Sequence, residues 1–177
     1  MVEAAITLVV ISLLMFGIVA AGLMARSYAA VQNAAASGAR AASVGATGAD
    51  SDYLAMEAAK RNLSSISLSS VSQFVVYKAD ASKDPAPAAC LSGTAGVAGL
   101  CNVYGSSDML LSAGAFGATG YNRDDKWPAA SRQASRTQGV DIVGVSITAR
   151  CDCFTKVFGF DPIITRSATV PIEAQSY

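Results

Sequence analysis

From Ala4 to Met24 the chain holds no charged residue, and Leu, Ile, Val, Phe, Ala and Gly dominate the run. It passes without Pro or an obvious turn into a tract of small residues, Ser27 to Arg40. Residues 1–44 together predict one long helix, roughly 60 Å at 1.5 Å per residue. Its first part is long enough to cross a bilayer core, which takes about 20 apolar residues. Residues 4–25 have no partner within the chain, so they must face lipid or neighbouring copies. The chain beyond Val44 reads as a domain hung on the end of that rod.

The second half of the rod has two faces. Arg26, Asn33, Ser37 and Arg40 fall at spacings that put them on one side, and Val31, Ala34, Ala35, Gly38 and Ala42 line another. Small side chains let helix backbones approach closely. This narrow face is expected to pack on the chain's own sheet, or else on another helix. Glu3 interrupts the apolar start. It reads either as a first-turn residue that complements the helix dipole, or as a carboxylate kept to meet a cation such as the α-amine of Met1, its own or a neighbouring subunit's.

Val2-Glu3 before an apolar run, then Phe16-Gly17, then the tract from Gln32 to Arg40, resembles the TadE-like family, pilin-like proteins of tight-adherence (Flp, type IVc) pilus systems. The resemblance covers about the first quarter of the chain. It implies a prepilin, cut by a prepilin peptidase before the apolar segment and handed to a pilus assembly platform. It further implies a structural subunit, major or minor, held in the cytoplasmic membrane and then packed with other copies or other pilins in a filament on the cell surface. In type IV pilins the acidic residue is usually fifth after the cut, whereas Glu3 is third.

A chain of 177 residues allows one globular domain besides the rod, residues 45–177. Net charge is zero, so a nucleic-acid partner has no electrostatic support. The first basic residue is Arg26; read naively, the positive-inside rule puts the domain in the cytoplasm. A removed basic leader reverses that orientation, and the cysteines favour the outside.

Gly45 to Gly48 is a loop by composition, and Asp50 or Ser51 can cap a helix over Asp52–Leu63 whose Tyr53, Met56 and Leu63 face the core. Val71–Ala79 is a strand. From Asp80 to Gln138 no regular element stands out beyond a short helix near Ser107–Leu111, with Tyr121 and Trp127 as anchors. Val140–Cys153 alternates as a strand, and Ile163–Ile172 is another, with Pro171 marking an edge. The last two form an antiparallel hairpin. The fold class is α+β, a pilin-like helix carrying an antiparallel sheet of three or more strands.

Four cysteines, Cys90, Cys101, Cys151 and Cys153, allow three pairings. In a small exported domain with long loops they are expected to be oxidised. Cys90–Cys101 would close a short loop and leave Cys151 with Cys153. The alternative, slightly preferred, ties the 90–101 loop to the strand by two bonds. No C-x-x-C pair and no His support zinc, and the many serines have no His base. Nothing near Cys151-Asp152-Cys153 supplies a thiolate-stabilising helix end. Asp124-Asp125 and Asp141 read as solvated acids rather than a cation site. No enzyme, cofactor or metal is expected. The rival to a filament subunit is a single-pass membrane protein whose outer domain binds something and never polymerises.

Overall fold

A single helix, α1, runs from Val2 to Gly45. No Pro interrupts it, and its interior glycines Gly17, Gly22 and Gly38 are isolated, each costing about 1 kcal/mol relative to Ala without ending the helix. The computed structural model describes residues 2–45, 47–64, 66–117, 125–135, 139–151 and 162–173, without the side chains of residues 2–6 and 9. After a turn closed by the Gly48 amide on the Gly45 carbonyl, 2.8 Å, the chain reverses into α2, Ser51–Asn62. Asp52 in the first turn and Lys60 and Arg61 in the last match the helix dipole. Asp50 is the N-cap residue but its side chain makes no capping bond.

The strands and short helices come next: β1 (Val71–Ala79), α3 (Ala88–Leu91), β2 (Cys101–Tyr104), α4 (Ser106–Met109), α5 (Ala113–Gly117), β3 (Ala134–Ser135), β4 (Gly139–Val140), β5 (Ile142–Arg150) and β6 (Ile163–Pro171). Four of them form an antiparallel sheet in the order β2-β1-β5-β6, while β3 and β4 make a separate two-stranded ribbon. The fold is therefore α+β. Pro171 ends an edge strand, where its missing amide interrupts no ladder.

Three sequence expectations need correction. The stretch from Asp80 to Gln138 does contain a sheet strand, β2, which pairs Phe74 with Tyr104 and Tyr77 with Cys101. Four residues, Cys-Asn-Val-Tyr, are too few to show a period. The strand expected over Val140–Cys153 is also shorter. Val140 belongs to the ribbon, where Gly139 adopts φ +97°, and Asp141 separates the two pieces. Asp141 is not a solvated acid: it is buried, accepts from the Gln133 amide at 2.9 Å, and pairs with Lys78 Nζ at 2.8 Å. Asp124 lies outside the described residues, as does Tyr121.

One sheet face packs on the helices. Phe74, Val76, Val143, Val145, Ile147 and Ile164 meet α1 and α2 in one continuous core. The other face is smaller: Val75 and Tyr77 lie under the segment that carries Ala86, Cys90 and Cys101. β6 runs in the same direction as α1. Arg166 stacks on Tyr28, 4.5 Å from guanidinium carbon to ring centre, and the Ser43 hydroxyl donates to the Pro171 carbonyl at 2.6 Å. The start of β6 thus faces the free half of the rod.

Candidate functional site

The first half of α1 is a bare apolar surface. Leu8, Val10, Ile11, Leu13, Leu14, Met15, Phe16, Ile18 and Val19 are each more than half exposed, Ile18 reaching 73%. Two of its hydroxyls bond within the helix itself: Ser12 donates to the Leu8 carbonyl at 2.8 Å and Ser27 to the Leu23 carbonyl at 3.1 Å. Such back-bonding satisfies these donors without water, so the surface suits hydrocarbon or a dry bundle of helices. Gly17 and Gly22 meet nothing where a Cβ would stand, so they leave shallow notches between the large side chains. The span Val10–Gly45 is long and apolar enough to cross a membrane.

Glu3 sits in the first turn of this helix. Its side chain, and Met1, lie outside the described residues.

The second half of α1 belongs to the domain. Val31, Ala34, Ala35 and Ala42 are fully buried in the core shared with α2, β5 and β6. Gly38 is where the backbones come closest. A Cβ there would lie 3.2 Å from the Ala55 carbonyl oxygen and 3.3 Å from Val145 Cγ1. All five face inward within one chain. Arg40 stays exposed, while Ser37 bonds the Ala58 carbonyl at 3.1 Å and receives the Asn62 amide at 2.9 Å.

A buried polar cluster fixes the rest of the domain to α2. Arg132 Nη2 reaches Asp52 Oδ1 at 2.6 Å, and Nη1 reaches Ser51 Oγ at 3.0 Å. Asn102 Nδ2 and Tyr104 Oη both donate to Asp52 Oδ2 at 2.8 Å. The Trp127 amide donates to Asn102 Oδ1 at 2.7 Å, and the Arg132 guanidinium lies over the Trp127 ring at 4.5 Å. Sequence reasoning singles out Trp127 but misses Asp52, Asn102 and Arg132, which no local pattern distinguishes from surface residues. Asp50 stands beside Asp52 and Arg136 near Arg132, so the sequence gives no sign of which acid meets which Arg.

The disulfide runs Cys90–Cys101, with Cα atoms 6.3 Å apart. The cross-tied pairing preferred on the sequence is thus not formed: α3 brings Cys90 over β2, whose first residue is Cys101. Cys151 is also disulfide-bonded, and Cys153 lies outside the described residues. Under the same cover the Tyr77 phenol donates to the Asp84 carbonyl at 2.7 Å, and burial pushes its pKa above the ordinary value. On α2, the hydrogen bond from Lys60 holds the Glu57 carboxyl below its usual range.

Two grooves open on the domain. One, of about 390 Å³, lies across the outer sheet face between Gln73, Thr94, Thr148 and Thr165. The other, of about 530 Å³, runs between α1 and α2 beside Arg40, Val44, Leu54 and Arg61. Neither pairs a nucleophile with a base. Among the described residues no three His, Cys, Asp or Glu side chains gather where a metal could sit.

A family model described as TadE-like protein matches residues 1–40. No curated protein and no solved structure matches the chain. The match ends inside the buried half of α1, so it spans the bare helix and its entry into the domain. Over its N-terminal forty residues the chain is similar to the TadE-like family, and its long apolar helix fits a Tad pilus-related, membrane-anchored protein.

Proposed function

We propose that this chain is a structural subunit of a type IVc, Tad-like pilus. The apolar helix holds it in the cytoplasmic membrane until it is handed to the assembly platform, and then packs among the helices of other copies or other pilins in an extracellular filament. The observation that carries this reading is the bare half of α1: large apolar side chains more than half exposed between Leu8 and Val19, with the Ser12 hydroxyl bonded within the helix. A surface of this size needs lipid or protein around it, and the TadE-like match over the same residues supports the pilus system as the setting.

Glu3 is the assembly residue in this proposal. When the rod leaves lipid for a dry bundle, its carboxylate faces a desolvation cost of several kcal/mol unless paired. The cation that this proposal gives it is an α-amine, such as that of Met1 in the neighbouring subunit. Pairing with a neighbour sets the axial stagger.

The test is electron microscopy and immunolabelling of surface filaments sheared from cells that express the tagged chain. Label along the filaments is expected. Protein recovered only as detergent-solubilised monomer from the membrane fraction would instead identify a non-polymerising membrane-anchored binding protein.

A further inference from the structure

Past the bare half of the rod, the domain carries a knob and a groove. The knob is Leu110, 67% exposed, more than any other large apolar side chain of the domain among the described residues. It is held outward, because Met109 before it is fully buried and Leu111 after it packs on the core. Asp108 stands two residues away, its Oδ2 accepting the Gly105 amide at 2.7 Å. The groove is the one of about 530 Å³ between α1 and α2. Val44 and Leu54 line it, 61% and 48% exposed, with Arg40 on the α1 side and Arg61 on the α2 side. Glu57, the acid that lines it with them, is taken by Lys60 Nζ at 2.5 Å. Among the described residues neither of these arginines, nor Asp108, has an ion-pair partner.

The register of the sheet puts knob and groove at opposite ends of the domain. Tyr104, Phe74, Ile147 and Arg166 form one row across β2, β1, β5 and β6, and Arg166 stacks on Tyr28 of α1. β6 runs with α1 and every pairing in the sheet is antiparallel, so β2 runs against α1. Leu110, reached through α4 just past Tyr104, therefore lies at the Tyr28 end. Val44 lies at the other end, and residues 28 to 44 of a helix cover about 24 Å. Rods held in one membrane point the same way. Between parallel copies, a knob at one end and a groove at the other meet only head to tail, the kind of contact that builds an open helical fibre.

We infer that the α1–α2 groove is the seat of a second copy of this chain, which inserts Leu110 between Val44 and Leu54 and brings Asp108 to Arg40 and Arg61. The inference rests on the filament reading and names a surface for it. Apolar side chain meets apolar floor, and a carboxylate meets two guanidinium groups, the strong form of a charged hydrogen bond. One leucine and a charged pair fall far short of the roughly 1,200–2,000 Å² of a stable interface. The rods therefore hold the copies together, and this contact fixes rotation and a stagger of about 24 Å. A neighbour whose Met1 amine meets Glu3 is displaced much less along the axis, so the two contacts are made with different neighbours.

The full chain is expressed with the photo-cross-linker benzoylphenylalanine in place of Leu110, and sheared filaments are irradiated and digested with trypsin. A cross-linked dimer is expected in which position 110 is joined to the peptide 41–60, which holds Val44 and Leu54. The reciprocal probe in place of Leu54 should reach residues 106–111 of the other copy. Arg40→Glu with Arg61→Glu should abolish the dimer while leaving the Trp127 denaturation midpoint unchanged. Filaments in which neither probe joins these segments, or in which the partner is a different protein, overturn the groove as the seat of a second copy and leave the filament reading standing. A dimer that survives both arginine changes overturns the charge pairing. Absence of the unmodified chain from filaments overturns the filament reading, and this contact with it.

Discussion

Gly144 has no side chain because Tyr77 occupies its space: a Cβ there would lie 2.2 Å from Tyr77 Cζ. The two are paired residues on β5 and β1, so the ring cannot simply swing away without losing its bond to Asp84. Gly144→Ala is expected to cost roughly 1–3 kcal/mol by overpacking, and Gly144→Ala with Tyr77→Phe should not restore it, since the ring remains. A denaturant titration followed by Trp127 fluorescence measures both. Tyr77 also predicts a pH effect. Its pKa is raised by burial, so its contribution is fully present below the ordinary phenol value of about 10 and is lost as pH rises through the folded value. Tyr77→Phe should therefore cost about 1 kcal/mol at neutral pH through the lost bond to Asp84 and flatten the alkaline loss of stability above about pH 10. Asp52 shows the opposite kind of dependence on partners. Three side chains from two segments converge on Ser51 and Asp52 through four bonds, and Arg132 is wholly buried beside them. Removing the carboxylate by Asp52→Ala strands that guanidinium and should cost about 3–5 kcal/mol. Asp52→Leu combined with Arg132→Met should cost much less than either single change, because no charge is left alone. Equal losses in the single and double variants would mean that the pair is solvated and contributes little.

At the scale of elements, the parts that read clearly are those with a period. α1, β1 and the β5–β6 hairpin declare themselves by unbroken apolar content or by alternation, and the Val31–Ala42 face announces its packing by its small side chains. The hidden parts are short or long-range. β2 is four residues, and it is held by an Asn, a Tyr and a Cys whose partners are remote in sequence. The Asp52–Arg132 pair spans 80 residues, and no local signal encodes such a distance. The disulfide pairing is illegible for a related reason: strand alternation places Cys151 correctly on the inner face, but nothing local shows that α3 carries Cys90 onto β2. That bond has a definite expected effect. It closes a loop over 11 positions of sequence, for which chain entropy gives about 3 kcal/mol or less. Cys90→Ala with Cys101→Ala should lower stability by about 2–3 kcal/mol. It should also expose the small outer core, since Val75 and Tyr77 are covered by the segment that it pins. Hydrogen exchange on β1 and β2 reports this directly: faster exchange confined to these strands is the expected pattern, and uniform change across the sheet would place the effect elsewhere.

At the scale of the whole molecule, the helix does two jobs in sequence. From Ala30 on it is core, and before Met24 it is bare. The division implies that the two halves separate in their consequences. A chain of residues 27–177 keeps every residue of α1 that is fully buried, and it loses only the apolar half and the edge contact of Met24. It is expected to fold as a soluble monomer with an unchanged denaturation midpoint in the Trp127 signal, and to be absent from filaments. Polymerisation of that truncated chain would show that the domain, not the rod, organises the assembly. Glu3 tests the same division with one residue. It stands in the first turn of α1, far from every contact that holds the domain, so its substitution should leave folding and disulfide formation untouched. In lipid the carboxylate can stay near the headgroup layer; in a bundle of rods it cannot, and there it needs a cation. The expected outcome is that Glu3→Ala accumulates in the membrane fraction at wild-type level while its filament yield falls sharply, with Glu3→Gln intermediate at best because it keeps a hydrogen bond and loses the charge. Comparing membrane-held and filament-held protein for the two variants measures this. Wild-type filament yield in both would reduce Glu3 to a residue that complements the helix dipole, worth no more than about 0.3–1 kcal/mol.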